Sequence, residues 1–162
     1  MNWAKLTNFK NYKLFIPTKD KVAKLAKELI DGKLNLPDEY RNPQSIANLL
    51  LMYFSNPTHL FYEIGKFGGV LGFAYIQEGH KAELLMKMWN KNIWKPSVVK
   101  EAKRLIKTIM DEFNLIRINV ETADERVVKM AKILGMEEDG IRKKNFMFDG
   151  ELYDLFLYSM EA

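Results

Sequence analysis

Residues 95–122 read KPSVVKEAKRLIKTIMDEFNLIRINVET, and two different periodicities meet within this stretch. Pro96 stands where the first turn of a helix tolerates proline, and an apolar stripe at helical spacing follows it as far as Phe113. The stripe comprises Val99, Ala102, Leu105, Ile106 and Ile109. Residues 115–122 then alternate in character, as a strand does. The stretch therefore predicts a long helix that runs into a strand, as in a mixed α/β fold.

Upstream of this stretch, apolar spacing predicts two more helices. The first follows Thr18 and Asp20 and ends at Gly32, which is typical of a helix terminus. Its apolar face comprises Val22, Leu25, Leu29 and Ile30. The second stops at Asn56 and Pro57. Its apolar face comprises Ile46, Leu49, Leu50 and Tyr53.

Three strands and a closing hairpin complete the prediction. From His59 onward, the runs LFYEIG, VLGFAYIQEG and KAELLMKMW are short, aromatic and aliphatic, which predicts three consecutive strands. Beyond residue 122, an amphipathic helix is predicted to end at Gly135, with Val127, Val128, Ala131 and Leu134 on its apolar face. Two final strands, around residues 144–148 and 152–158, flank a turn at Asp149 and Gly150.

The predicted order is two helices, three strands, a helix, a strand, a helix and two strands. This order indicates a mixed α/β class with a strand–helix–strand–helix unit in the middle. A chain of 162 residues with 48% hydrophobic content can bury a core without a metal or disulfide. We therefore expect a single domain over residues 1–162.

Several classes of protein are disfavoured by composition. The chain has no cysteine, so it has no disulfide framework and no thiolate nucleophile. The two histidines, His59 and His80, are predicted on the surface and are too few for a histidine-based metal cluster. No apolar run approaches the roughly 18 residues that span a bilayer, and residues 1–10 lack the apolar core of a signal peptide. We expect a cytoplasmic protein with no membrane partner.

The charge balance is basic, with 25 Lys and Arg residues, 21 acidic residues and a formal charge of +4. Such a surplus suits an anionic ligand, either a phosphorylated cofactor or a nucleic acid, and it equally suits an ordinary lysine-rich surface. The basic residues are spread along the chain and form no dense block of the kind that marks nucleic-acid tails. Nucleic acid is therefore not the favoured partner.

Four short segments in the second half carry a resemblance to a known family. They are LIRINV at 115–120, ILGM at 133–136, DGIR at 139–142, and the set Gly150, Asp154, Tyr158 and Ser159. In this order and spacing they resemble the GNAT acetyltransferases, in particular the branch that modifies ribosomal-protein N-termini. That branch reads lgl-R-i-x-v, k-l-G-F, E-G-x-x-R and G-x-x-x-D-x-x-x-Y-S at these places. The resemblance covers roughly residues 59–160.

Taken singly, most of these matches predict structure rather than chemistry. Gly135 is expected to end a helix at positive φ, and Gly150 to form the hairpin turn. Arg117 is expected to make a surface or edge contact, and Tyr158 to be a half-buried strand aromatic. As a set, the resemblance implies a mostly antiparallel central sheet flanked by helices. It also implies acetyl transfer from acetyl-CoA, as co-substrate, to a primary amine.

This reaction needs a cradle for the pyrophosphate of coenzyme A and a donor for the developing oxyanion. In the family, the end of the fourth strand and the start of the next helix supply both. The resemblance thus assigns cofactor binding to residues on the strand and at the helix start: Met86, Lys87, Met88, Val98 and Val99. Amides at that helix start would face an anion. Trp94, next to Lys91 and Lys95, adds a ring that could stack on adenine or cover the junction of helix and sheet.

The loop before this helix departs from the family's R/Q-x-x-G-x-G/A pattern. Alignment on Glu101 and Ala102 puts Lys95 and Ser97 at the two glycine positions, with Asn92 at the basic one. Pro96, between Lys95 and Ser97, has no N–H to donate. The ammonium groups of Lys91 and Lys95 could replace the lost donors, or the site could be lost.

The residues that would move protons also depart from the family. Asp124 stands where the family has an asparagine, and the resemblance assigns Asp124 to cofactor binding as well. Val127 stands where relatives have a serine, and Ala131 stands where some relatives have a tyrosine acid. The remaining candidates for the acid are water or a tyrosine from elsewhere in the chain, Tyr153 or Tyr75, and either tyrosine could simply be a packing residue.

Glu83, early in the fourth strand, is the candidate general base. By alternation it shares a face with Leu85, Lys87 and Trp89, so an ion pair with Lys87 is the structural alternative.

Two functions therefore stay open from the sequence. One is an acyl-CoA-dependent N-acetyltransferase that acts on a small amine or a protein N-terminus, with Glu83 and Tyr153 as its catalytic candidates. The other is a catalytically silent GNAT-fold protein that acts as a binding or assembly module, with itself or another protein as partner. The lost glycines, Pro96 and the missing thiolate acid favour the second function, whereas the free amides at the helix start, with Lys91 and Lys95, keep the first open.

Overall fold

The computed structural model describes residues 1–162 as five helices and seven strands. The helices are α1 (Trp3–Thr7), α2 (Lys19–Asp31), α3 (Pro43–Ser55), α4 (Pro96–Glu112) and α5 (Glu125–Leu134). The strands are β1 (Tyr12–Leu14), β2 (Leu60–Ile64), β3 (Gly69–Gln77), β4 (Lys81–Met88), β5 (Arg117–Thr122), β6 (Glu137–Phe148) and β7 (Glu151–Glu161). Two short 3₁₀ turns, Asp38–Tyr40 and Lys91–Ile93, lie in the loops before α3 and α4.

The predicted helix boundaries are confirmed by their capping residues. The side chain of Thr18 caps α2 by accepting a hydrogen bond from the backbone N–H of Lys21. Pro96 is the first residue of α4. Gly135 ends α5 in the left-handed region at φ 94°, which favours glycine. Asp149 and Gly150 both have positive φ, as a two-residue hairpin turn requires.

The seven strands form one sheet in the order β1-β2-β3-β4-β5-β7-β6. Every neighbouring pair is antiparallel except β4 and β5, which run parallel with α4 as their crossover. The predicted mixed, mostly antiparallel sheet flanked by helices is confirmed. The β4–β5 pair divides the sheet into two half-sheets, β1 to β4 and β5 to β7. The strands predicted as consecutive, β2 to β4, are neighbours in the first half-sheet, and β5 to β7 form the second.

The N-terminal segment contains two elements that the periodicity did not predict, α1 and β1. With five and three residues they are too short to produce a periodic pattern, and long-range contacts hold them in place. The Glu112 carboxylate accepts a hydrogen bond from the backbone N–H of Asn2 at 2.7 Å. The Glu101 carboxylate accepts two more, from the backbone N–H groups of Lys10 and Asn11, each at 2.7 Å. Both acids belong to α4, so α4 carries this segment.

The two faces of the sheet are covered by different helices. We call the side packed by α1, α4 and α5 the filled face, since 24 buried residues form one cluster there. The side packed by α2 and α3 is the open face, where only six buried residues cluster. Residues of β4 alternate between the faces, with Leu84 and Met86 against the filled side and Leu85 and Lys87 toward the open side. No helix is both long and apolar enough to cross a bilayer.

Two predicted exposures are wrong. His59 is 8% exposed rather than on the surface, because it lies beneath Tyr53 and Tyr75 with ring centroids 5.1 and 4.7 Å away. Tyr158 is fully buried rather than half-buried, because β7 lies between β5 and β6 in the sheet, and its hydroxyl donates to Glu138 at 2.9 Å.

Candidate functional site

The parallel strands β4 and β5 are paired over only three residues and then separate. The last pair joins Glu83 to Asn119, although β4 continues to Met88 and β5 to Thr122. Each strand stays bonded to its other neighbour, β4 to β3 and β5 to β7, up to its end. The facing edges of β4 and β5 beyond Glu83 are therefore left with backbone N–H and C=O groups that have no strand partner.

A cavity of about 250 Å³ opens at this separation. Residues from both strands line it, together with residues of α2 and α3 on the open face and Val127 at the start of α5. Its wall is mainly apolar, with leucines and aromatic rings predominating. A concave, mostly apolar cavity with a few polar groups is typical of a small-molecule site.

The tip of the β6–β7 hairpin fixes the loop that leads from α2 to α3. The carboxylate of Asp38 accepts hydrogen bonds from the backbone N–H groups of Asp149 at 2.9 Å and Gly150 at 3.0 Å. The guanidinium of Arg41 lies 4.2 Å from the centre of the Phe148 ring and pairs with Asp149. Because this loop supplies cavity wall, the hairpin and the cavity are mechanically linked.

Glu83, the candidate base, lies on the open-face side where β4 and β5 separate. It is half-buried, and its side chain makes no hydrogen bond or ion pair within the protein, so the alternative pairing with Lys87 is absent. Burial raises the pKa of Glu83, the nearby charge of Glu121 raises it further, and Lys81 opposes the change. A carboxylate with a raised pKa and free lone pairs is suited to accept a proton.

The side chain of Lys87 points to the open face and lines the cavity, where it is half-buried. Burial lowers the pKa of Lys87, and the charge of Arg126 lowers it further. Asp124 caps α5: its Oδ1 accepts from the backbone N–H and from Nε of Arg126, each at 2.9 Å. Burial alone would raise the pKa of Asp124, but the bonds from Arg126 outweigh it and lower the pKa.

The start of α4 offers free backbone donors. Lys95 is its N-cap but makes no capping hydrogen bond, and the N–H groups of Ser97 and Val98 have no acceptor within the protein. Lys95 and Ser97 are exposed, whereas Val98 is buried and Val99 half-buried. Two amides without a protein partner and one exposed ammonium thus lie at the positive end of a helix of 17 residues.

The other residues assigned to the cofactor lie between the sheet and α4. Met86 and Met88 are half-buried against the filled face, and Met86 also lines the cavity. Trp94 packs against the same core and does not line the cavity, so it leaves the separation of β4 and β5 open. Trp89 belongs to the open face instead, where its Nε1 donates to the carbonyl of Phe67 at 2.9 Å.

Tyr153 is not brought together with Glu83. It lies on the stretch of β7 beyond the last pair with β5, and its hydroxyl donates to Glu151 at 3.1 Å. Ser159 of β7 is in register with Asn119, the partner of Glu83. Six residues of extended strand therefore separate the two candidates by about 20 Å. Tyr153 instead lines a second, open depression beside Asp124.

Sequence reasoning passed over Tyr53, which does line the cavity. It projects from α3 within an aromatic group on the open face, 6.0 Å from Phe61 and 6.1 Å from Tyr75 between ring centroids. Burial raises the pKa of Tyr53, with further contributions from Tyr75 and Glu83, so its hydroxyl stays protonated and can donate. Its helical spacing marked it as a core residue, and no local signal distinguished it from Leu49 or Leu50.

The motif residues that carried the family resemblance form a separate polar network on the other half-sheet. Arg117 donates to Asn119 at 2.7 Å and to Asp139 at 2.6 Å. The hydroxyl of Ser159 donates to Asp139 at 3.0 Å. Residues from three matched segments thus join β5, β6 and β7. Their contacts are structural, in agreement with the prediction from the single matches.

No protein-family model matches the chain, and no curated protein matches its sequence. Solved structures match it over nearly its full length. The microcin C7 self-immunity acetyltransferase MccE, solved with acetyl-CoA and AMP, is 18% identical with a TM-score of 0.71, covering 98% of this chain and 99% of that one. The spermidine N-acetyltransferase of Vibrio cholerae, solved with CoA and spermine, is 13% identical with a TM-score of 0.72, covering 93% and 95%.

A third match is RimL, the ribosomal L7/L12 α-N-protein acetyltransferase, solved with coenzyme A. It is 12% identical with a TM-score of 0.70, and the match covers 94% of this chain and 95% of that one. At such identities, a likeness that spans both chains almost completely establishes a common fold and leaves the chemistry to the residues of the site.

Proposed function

Because the chain has the fold of the GNAT acetyltransferases, we propose that it is an acyl-CoA-dependent N-acetyltransferase. The acceptor is a primary amine, on a small molecule or at a protein N-terminus. One observation carries the proposal: β4 and β5 separate beyond Glu83 and Asn119 and open a cavity between them. The sheet gives up hydrogen bonds at this place, and a ligand with amide groups can make them instead.

The residues present fit acetyl-CoA. The unpaired edge of β4, at Met86, Lys87 and Met88, can bond the amides of an extended arm by its backbone groups. The free N–H groups of Ser97 and Val98 can hold the pyrophosphate at the start of α4. Bound there, acetyl-CoA supplies the thioester whose acetyl group is transferred.

Glu83 is the residue that manages the acceptor's proton. As the new N–C bond forms and the C–S bond breaks, the amine nitrogen gives up a proton, which Glu83 accepts directly or through one water. Its lack of any protein partner leaves both carboxylate oxygens available. The hydroxyl of Tyr53 can donate a hydrogen bond on the same side of the cavity. Water is the proton source for the departing thiolate, because Val127 and Ala131 replace the family's acids.

The altered loop still leaves groups that can hold an anion. Pro96 costs one N–H, but helix α4 keeps two free amides behind it, and Lys91 and Lys95 stand exposed on either side of the loop. The replaced glycines therefore change the site from one built by close backbone approach to one assisted by ammonium groups. This change predicts binding that weakens with salt more steeply than binding by amides alone.

Titration calorimetry with acetyl-CoA and with acetyl-pantetheine, which lacks the pyrophosphate, tests the proposal. We expect acetyl-CoA to bind at least about tenfold more tightly, and Lys95→Ala to reduce this advantage in low salt. Thiol release in the presence of an amine panel measures the transfer. Protein that binds neither compound and releases no thiol would refute the proposal and support the binding-module function.

A further inference from the structure

The charges around the cavity do not balance. Three charged side chains line it: Lys87, Glu121 and Asp124. Glu121 pairs with Arg142 at 3.2 Å, and Asp124 is held by Arg126. The side chain of Lys87 makes no hydrogen bond or ion pair with any protein group. Lys87 is therefore the one charged side chain of the lining that pairs with no other side chain, in a cavity whose wall is mainly apolar.

The charges of Glu28 and Asp124 favour the ammonium of Lys87 at a distance, but neither carboxylate pairs with it. This ammonium lies beside Gly32 and Asn35, where α2 ends. The carbonyl groups at a helix C-terminus carry partial negative charge, but none of them accepts a hydrogen bond from Lys87 here. Burial lowers the pKa of this lysine, which means that the folded protein disfavours its charged form. An anion placed against the ammonium would offset that cost.

The rest of the cavity wall selects an apolar ligand. Its open-face side is made mainly by leucines and by aromatic rings of α3 and β2, among them Leu25, Leu29, Leu49, Leu50, Phe54 and Phe61. An acceptor with several hydrated charges would lose its solvation against such a wall. An acceptor with an aliphatic or aromatic body would gain from burial there.

The two unpartnered charges lie on the same face of one strand. Glu83 and Lys87 are four residues apart on β4, so their Cα atoms are about 13 Å apart, with Leu85 between them. A base at one end of this row and a cation at the other can bind an amine and an anion of the same molecule. The apolar wall then accommodates the group that joins them.

On the basis of the proposed function, we infer that the acceptor amine carries an apolar body and an anionic group, a carboxylate or a phosphate, and that the ammonium of Lys87 binds this anion. The backbone of Lys87 faces the cofactor slot and its side chain faces the acceptor. The residue thus acts as a specificity determinant for the acceptor rather than as a phosphate ligand for coenzyme A.

A matched set of amines tests the inference: leucine, leucyl-glycine, the phosphonate analogue of leucine, and leucinamide, which has the same body without the anion. Calorimetry without acetyl-CoA measures binding independently of any transfer. We expect at least one anionic member to bind at least about tenfold more tightly than leucinamide. The member preferred distinguishes a carboxylate from a phosphate, and leucyl-glycine tests a longer spacing from amine to anion.

Lys87→Met keeps the apolar stem and removes the charge, and Lys129→Met, at an exposed lysine of α5, is its control. We expect Lys87→Met to reduce the preference for the anion to less than about twofold and Lys129→Met to leave that preference intact. A preference that persists in Lys87→Met would overturn the inference, as would equal binding of leucinamide by the original protein. If acetyl-CoA fails to bind but the preference is present, the proposed function fails while the anion site stands.

Discussion

The filled and open faces of the sheet differ in whether their charged side chains have partners. On the filled face, the acids of α4 are committed to the fold, since Glu101 and Glu112 accept hydrogen bonds from backbone N–H groups of the N-terminal segment. On the open face, Glu83 and Lys87 are half-buried and have no partner. The filled face also packs 24 buried residues into one cluster, whereas the helices of the open face, α2 and α3, form much of the cavity wall.

This difference separates what stabilises the protein from what it binds. A half-buried charge without a partner costs stability, so Glu83 and Lys87 are poorly explained by folding alone. A charge that satisfies backbone donors contributes to stability. We therefore expect substitutions on the open face to change binding and turnover, and substitutions on the filled face to change the free energy of unfolding.

The largest effect is expected from Glu83→Gln on the open face. Removal of the general base should lower kcat/KM for acetyl transfer by about 10²–10⁴-fold. The free energy of unfolding at neutral pH should stay equal or rise, because folding raises the pKa of Glu83 and so disfavours its ionised form. Steady-state kinetics and urea unfolding measure the two quantities.

Glu78→Gln, at an exposed turn between β3 and β4, is the matched control and should change neither quantity. Full activity of Glu83→Gln, or a loss of stability as large as that of a core substitution, would contradict the assignment of binding to the open face and stability to the filled face.

A second test compares one aliphatic deletion on each face. Ile106→Ala removes side-chain atoms from the centre of the filled cluster and should lower the free energy of unfolding by about 3–5 kcal/mol. Leu50→Ala removes them from the cavity wall, where one side already lacks neighbours, and should cost about 2–3 kcal/mol. Urea unfolding followed by tryptophan fluorescence measures both. Equal losses would show that the cavity wall is packed as tightly as the core.

The parts of the fold that could be predicted are those with a local signal. The stripe of α4 and the alternation of residues 115–122 are periodic, and Gly135 and Gly150 stand where positive φ is needed. The segment that forms α1 and β1 could not be predicted, because backbone bonds to Glu101 hold it and that acid is some 90 residues away in sequence. Long-range contacts leave no periodic trace.

The candidate site was predictable only in part. Alternation along β4 placed Glu83 and Lys87 on one face, as observed, but it also suggested an ion pair that the structure lacks. The separation of β4 from β5, which creates the cavity, depends on where a parallel ladder stops, and neither strand marks that point in its sequence. Tyr53 had the spacing of a core residue, and Tyr153, although aromatic and near the chain end, lies far along β7.

A third prediction concerns the rim of the filled face. Glu101→Gln replaces a carboxylate that accepts three hydrogen bonds at 2.7 Å, from the backbone N–H groups of Lys10 and Asn11 and from the Asn11 side chain. The loss should be about 1–3 kcal/mol at neutral pH. Burial alone would raise the pKa of Glu101, but these bonds outweigh it and hold the pKa below its ordinary value.

The stability that Glu101 contributes should depend on pH. A depressed pKa contributes stability that is present above the unfolded-state pKa and is lost as the pH falls through the folded-state value. The difference between the original protein and Glu101→Gln should therefore shrink below about pH 4.5. Glu137→Gln, at an exposed acid at the start of β6, is the matched control and should leave the free energy of unfolding at neutral pH unchanged. A constant difference across the acid range would contradict the assignment.

The smallest expected effect is a shift in the acid limb of the pH–rate profile, which reports the pKa of the free enzyme's base. Burial, and then the charge of Glu121, raise the pKa of Glu83, while Lys81 lowers it. Glu121→Gln should therefore move the acid limb of kcat/KM to lower pH, and Lys81→Met should move it to higher pH. Opposite shifts in the two variants would identify Glu83 as the titrating group, because a general loss of folding stability would not move the acid limb in opposite directions. If both variants move the limb in the same direction, or neither moves it, a different group is the base and the open face has been assigned the wrong role.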